Sequence, residues 1–217
     1  MTPDRTALRE AYDRAADRYG EKRNPRFDRF RAELLDDFAD LIRATGSTDV
    51  LDLGAGPGHE SLELIGRGLR PLAVDFSPAM VARCQARGVD AVEQDLYELR
   101  LPPASRAGAL ASFSLLHIPK ADLPPILDRV ADTLFPGGVL LVMLFEGDGE
   151  GPREADRAAF GTARYFSYYR AEELAGVLAE RFEIVDTRRL DISPRPTVAV
   201  TGRRRAAEST PSEGDHV

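Results

Sequence analysis

The stretch VLDLGAGPGHE at residues 50–60 constrains this chain most, because it runs an apolar strand pattern into a glycine-rich loop with an acid just ahead of the first glycine. Val50, Leu51 and Leu53 read as a buried parallel strand, and Gly54, Ala55, Gly56, Pro57 and Gly58 as a tight turn that lets a ligand approach the backbone. A helix is expected from about residue 57. Loops of this kind present helix N-terminal amides to a dinucleotide pyrophosphate, yet Asp52 sets a carboxylate near that anion and repels it. The glycines also miss the dinucleotide spacing, whose third glycine falls where this chain has His59. A cationic ligand suits the loop better.

Strand and helix patterns alternate after this loop. Residues 49–53, 70–75, 89–94, 108–114 and 138–145 read as strands, and 57–66, 78–87 and 121–134 as helices, which argues a parallel sheet covered on both faces. A turn is expected at Gly137 and Gly138. The remainder reads as helix 170–180 followed by strands 182–190 and 196–202, an antiparallel hairpin. Two helices, 4–19 and 25–44, precede the first strand by the three-and-four spacing of their apolar residues, and they are expected to lie across the top of the crevice where strand ends converge. The 147–170 connection, glycine-rich and charged and then aromatic, is expected as a flexible link leading into a substrate wall.

With these segments the chain resembles the class I S-adenosylmethionine (SAM) dependent methyltransferases over roughly residues 48–202. Four motifs carry the resemblance: the loop at 50–60, LAVDFSPAM at 72–80, VDAVEQDLYEL at 89–99 and AGALASFSLLHIP at 107–119. It implies an α/β, Rossmann-like, seven-stranded, mostly parallel sheet with its last strand antiparallel and an N-terminal helical lid. The expected organisation is a cap at 1–46, a SAM-binding core at 47–202 forming a single domain with the cap, and a disordered tail at 203–217.

The cofactor so implied is SAM. Asp52 is expected to hold the methionine ammonium, directly or through water, while Gly54, Ala55, Gly56 and Gly58 admit the cofactor against the backbone. Asp75 ends the second strand, placed to take ribose hydroxyls, with Phe76 and Met80 on the adenine face. Asp95 with the Leu96 amide is expected to read the adenine edge, and Ser112 lies below the cofactor at the mouth of the fourth strand. Tyr19 matches a family tyrosine that closes over the methionine end, and Arg23 is either a partner of the methionine carboxylate or an ordinary exposed arginine. Tyr12 reads as helix packing.

Methyl transfer is an in-line displacement that consumes charge, so positioning and exclusion of water can supply much of the rate. A base is required only if the acceptor must lose a proton. His117 is the best-placed base, with packing beside the cofactor as the alternative; Glu146, at the end of the fifth strand, either binds an ammonium or accepts a proton, or is a loop carboxylate. Tyr168 and Tyr169 either line the acceptor pocket or pack.

The net charge of -7 argues against a nucleic-acid partner. A single cysteine excludes an internal disulfide and suits a reducing compartment, and the charged N-terminus has no apolar run for a signal or a span, so a cytoplasmic monomer or homodimer without membrane contact is expected. No metal is implied. The chain lacks the Asn-Pro-Pro-Tyr of base amino methylation and the Pro-Cys of cytosine methylation. A small-molecule methyltransferase acting on oxygen or nitrogen remains, on a bacterial secondary metabolite or a peptide end. The alternatives are a SAM-binding protein that moves no methyl and, on the same architecture, a nicotinamide oxidoreductase.

Overall fold

The two N-terminal helices each begin on a side chain that satisfies their first free amides. In the computed structural model, which describes residues 3–19, 24–191 and 195–205, Asp4 accepts from the Ala7 amide to start α1 (Arg5–Ala15), and a single 3-10 turn follows it. Asn24, ahead of a proline in the first turn, caps α2 (Pro25–Arg43). Glycine 20 and Arg23 lie outside the described residues.

The core alternates β1 (Asp49–Leu53), α3 (His59–Gly66), β2 (Arg70–Asp75), α4 (Pro78–Ala86), β3 (Ala91–Glu93), β4 (Arg106–Ser112), α5 (Leu123–Thr133) and β5 (Leu134–Phe145). Then come β6 (Glu150–Arg153), the four-residue α6 (Arg157–Phe160), β7 (Arg164–Ser167), α7 (Ala171–Ala179), β8 (Phe182–Leu190) and β9 (Thr197–Arg204). Seven strands form one sheet in the order β3-β2-β1-β4-β5-β9-β8; the first five in sequence run parallel, and β9 runs antiparallel to both of its neighbours. This is the Rossmann-like sheet that the sequence implied.

Side-chain alternation divides the core in two. Leu51 and Leu53 face α5 and α7 with Leu140, Val142, Leu127 and Leu174, whereas Val50 faces α2 and α3 with Leu141, Phe38 and Leu64. Strand order reverses at the β1–β4 junction, the place where open sheets of this kind bind ligands.

Several boundaries differ from expectation. The third helix starts at His59 because Gly58 is left-handed, with φ +80°, and ends the loop first. Strand β5 begins at Leu134, and the turn at Gly137 survives as an irregularity where pairing jumps from Leu134 to Val139. Helix α2 does not lie across the crevice: Leu34, Leu35, Phe38 and Ile42 bury it against the sheet, and only its first turns reach the strand ends. The flexible link contains an antiparallel pair, β6 with β7. Arg203 and Arg204, expected in the tail, extend β9 and donate to the carbonyls of Gly137 and Leu134; residues 206–217 lie outside the described residues.

Candidate active site

At the carboxyl ends of β1, β2 and β4 a cavity of about 310 Å³ is bounded by the glycine loop, the starts of α1 and α2, and the segment after β4. The loop is anchored by the Gly54 and Ala55 amides, which donate to the Val74 carbonyl at 2.7 and 3.1 Å. Gly54 has φ +67°, and a Cβ there would stand 2.3 Å from that of Ser114, so only glycine allows the two segments to meet. A Cβ on Gly56 would meet only the Tyr19 ring, at 3.9 Å, which leaves this backbone open to the cavity.

Of the residues singled out in the sequence, Tyr19, Gly54, Ala55, Gly56, Asp75, Phe76, Asp95, Leu96, Ser112 and His117 line this cavity together. Asp75 accepts from the Gly56 and Ser77 amides at 2.8 and 2.9 Å. Burial pushes it up to about 6 against the pull of these amides. Asp95 accepts from the Tyr97 amide at 2.9 Å and is ion-paired to Arg5, whose guanidinium lies 4.3 Å from the centre of the Tyr97 ring.

Others fall elsewhere. Asp52 shares the α3 side of β1 with Val50, so its carboxylate is buried under the loop and accepts from Ser61 at 2.6 Å; burial and the nearby Glu60 charge raise it to about 7. The carboxylates presented to the cavity on this side are Asp28 and Glu60, both paired with Arg31, Glu60 at 3.0 Å. Gly58 turns toward the Cys84 sulfur rather than the cavity. Met80 is fully buried beneath Leu8 and Tyr12, because α1 covers it. Glu146 points away and pairs with Arg189 of β8 at 2.6 Å. Tyr169 belongs to the core under α5 and α7, its hydroxyl buried and without a hydrogen-bond partner among the described residues. None of these five lines the cavity.

His117 is held from both ring nitrogens. Nδ1 lies 2.7 Å from the Tyr165 carbonyl, which fixes the proton there, and Nε2 accepts from the Tyr12 hydroxyl at 2.5 Å. Burial pushes His117 down to about 4 despite the Tyr165 carbonyl, and Arg164 adds to the drop. It is therefore neutral, and its lone pair is already engaged, a poor arrangement for a general base. Tyr12 in turn accepts from Arg164 at 2.8 Å, and Arg164 pairs with Asp156 at 2.8 Å, both buried. Tyr12, expected to pack, is instead the middle of a buried hydrogen-bonded chain, and Arg164, Arg5 and Arg31 are polar neighbours of the cavity that the motifs do not point to. A signal existed for Arg31, a charge set one turn after Phe27 inside an apolar helical stripe.

The lining suits the cofactor that the resemblance implies. Asp75 and Asp95 are acceptors for hydroxyl and amino donors, Phe76 and Leu96 offer apolar faces, and Glu60 supplies a negative charge. The buried Ser114 hydroxyl also has no partner among the described residues. No group of histidine, cysteine and carboxylate side chains able to hold a metal is found among them. No helix among them is long and apolar enough to cross a membrane.

Residues 50–138 match the model of a methyltransferase domain. The chain is 32% identical over 118 residues to the carboxy-S-adenosyl-L-methionine synthase of Shewanella baltica, covering 49% of this chain and 47% of that protein. It is 35% identical over 124 residues to the trans-aconitate 2-methyltransferase of Mycobacterium tuberculosis, covering 54% and 46%. The chain thus spans about half the length of the curated relatives it matches. Among solved structures, it is similar to the 1,6-didemethyltoxoflavin-N1-methyltransferase of Burkholderia thailandensis with bound 1,6-didemethyltoxoflavin and S-adenosylhomocysteine, at 26% identity and TM-score 0.70, over 93% of this chain and 88% of that one.

Proposed function

We propose that this chain, which belongs to the class I SAM-dependent methyltransferases, moves a methyl group to an oxygen or nitrogen of a small molecule. The observation that carries the reading is the convergence of Asp75 and Asp95 on one cavity beside a glycine loop whose Gly56 backbone is open to it. SAM supplies a methyl on a positively charged sulfur, an electrophile that needs no metal. Asp75 would hold ribose hydroxyls with the lone pairs its two amides leave free, and Asp95 the adenine amino group. Phe76 and Leu96 would flank the base, and Glu60 would face the methionine ammonium in place of the buried Asp52.

The acceptor would enter beside Phe113, Tyr19 and His117. Neutral His117 and Tyr12 are suited to orient it and exclude water rather than to remove its proton, so rate would come mainly from alignment. The second reading, a SAM-dependent reaction that leaves the methyl in place, is favoured by the similarity to a protein named for making a carboxylated SAM.

Titration calorimetry with SAM, S-adenosylhomocysteine and NADH tests the cofactor, with micromolar binding of the first two and none of NADH expected. Binding of NADH alone would return the chain to the dehydrogenases. S-adenosylhomocysteine formed in step with methylated product separates the first reading from the second.

A further inference from the structure

Many arginines of this acidic chain have their own carboxylates: Arg181 has Asp128, Arg189 has Glu146 and Arg170 has Asp148. Around Phe166 and Phe145 three arginines have no carboxylate of their own. Arg153 and Arg164 share Asp156, at 3.5 and 2.8 Å, and Arg195 has no hydrogen bond or ion pair among the described residues. All three lie on one aromatic strip. The guanidinium carbons of Arg164 and Arg153 stand 5.2 and 5.6 Å from the centre of the Phe166 ring, and that of Arg195 5.2 Å from that of Phe145.

The strip leads to the cavity. Phe145 is 6.4 Å from Phe166 and 4.8 Å from Phe113, which lines the cavity, and Phe166 packs edge-on against His117 at 4.8 Å. Three guanidinium groups against one carboxylate leave an excess of two positive charges in a molecule whose net charge is -7. Burial, with the like charges of Arg153 and Arg164, holds Arg195 below its usual pKa against the opposing pull of Asp156. Arg164 is buried and engaged with Tyr12, so it positions; Arg195 is exposed and Arg153 partly so, and both are accessible to a ligand.

We propose that this strip anchors the methyl acceptor, and that the acceptor is a flat apolar small molecule bearing a carboxylate, which Arg153 and Arg195 hold while its apolar part runs along Phe145 and Phe113 toward His117. Guanidinium groups already lying against aromatic rings lose little freedom on pairing with a carboxylate and can bind it bidentately. The low-dielectric wall of rings strengthens that attraction. The assignment rests on the methyltransferase reading for the word acceptor, but the anion site stands on its own residues.

The test is calorimetry of the full chain with trans-cinnamate and with neutral cinnamamide, before and after saturation with S-adenosylhomocysteine. Cinnamate is expected to bind the loaded chain at least about tenfold more tightly than the amide, as one charge-assisted contact worth ~1.5–3 kcal/mol requires. The Arg153→Gln, Arg195→Gln double variant should lower cinnamate to the level of the amide. Arg170→Gln, which removes a charge away from the strip, should bind as the wild type does. Equal binding of the two probes, binding of neither, or cinnamate binding unmoved in the double variant would overturn the proposal. Failure of S-adenosylhomocysteine to bind would count against the methyltransferase reading alone, since the two probes are also compared on the free chain.

Discussion

Asp52, one residue before the end of β1, and Asp75, the last of β2, lie at the same edge of the parallel sheet, and the fold gives them opposite surroundings. Asp75 reaches the cavity and keeps lone pairs for a ligand, so Asp75→Ala should weaken S-adenosylhomocysteine binding by about tenfold or more, at ~1.5–3 kcal/mol for each charge-assisted hydrogen bond lost. Calorimetry on a variant shown to be folded reads this directly, and unchanged affinity would remove the ribose role. Because the free carboxyl lies near 6 and the ionised form accepts hydroxyls, wild-type affinity should fall as pH drops from about 7 to 5. Gly54 serves at the same scale as a contact that no side chain can share. Gly54→Ala adds left-handed strain and a collision with Ser114, and should cost at least about 2 kcal/mol in urea unfolding.

Among elements, α1 is the piece whose docking completes the site. It is fastened by Arg5 to Asp95, by Arg9 to Glu93 at 2.6 Å, and by Asp13 to the Ser77 hydroxyl at 2.5 Å, while Tyr12 ties it to His117 and to Arg164 of β7. Tyr12→Phe removes the group that satisfies both partners at once. We expect a loss of about 1–3 kcal/mol in stability, because buried polar groups are left without a partner. The same variant should raise the His117 pKa from about 4, since the bond to Nε2 favours the neutral ring. Titration of the imidazole resonances checks the sign, and a pKa that stays or falls would show that the hydroxyl does not bond that nitrogen. The β6–β7 pair, which brings Arg164 to this junction, was illegible in sequence: its strands are four residues each, β6 is interrupted by glycine and proline, and only their pairing stabilises them.

For the whole molecule, buried acids should shape stability against pH. Asp52 rises from 3.8 to about 7 on folding, on the order of 4 kcal/mol, and Asp75 to about 6. These groups bind more protons folded than unfolded, so their contribution is fully present below about pH 4 and is lost as pH rises through about 7. Paired carboxylates held below their usual range, such as Asp128 beside Arg181, act in the opposite sense and lose their contribution as pH falls. The melting temperature of the free chain should therefore peak on the acid side of neutrality. Asp52→Asn, which keeps an acceptor for Ser61, should raise it most at pH ~8, by a smaller amount at pH ~5, and little below pH ~4. A wild-type melting temperature flat from pH ~5 to ~8 would contradict the burial of these acids. The sheet, the loop and the placing of Asp75 and Asp95 at the cavity were legible in the chain's local pattern, because strand periodicity, glycine spacing and an acid at a strand end are patterns that the parallel fold reads one way. That Asp52 faces Ser61, that Glu146 and Tyr169 lie away from the cavity and that Tyr12 joins His117 to Arg164 emerges from the packed fold alone. Which face a side chain takes at a strand end, and which residue 152 positions away it meets, are set by packing between elements, and a single chain's local pattern does not encode that.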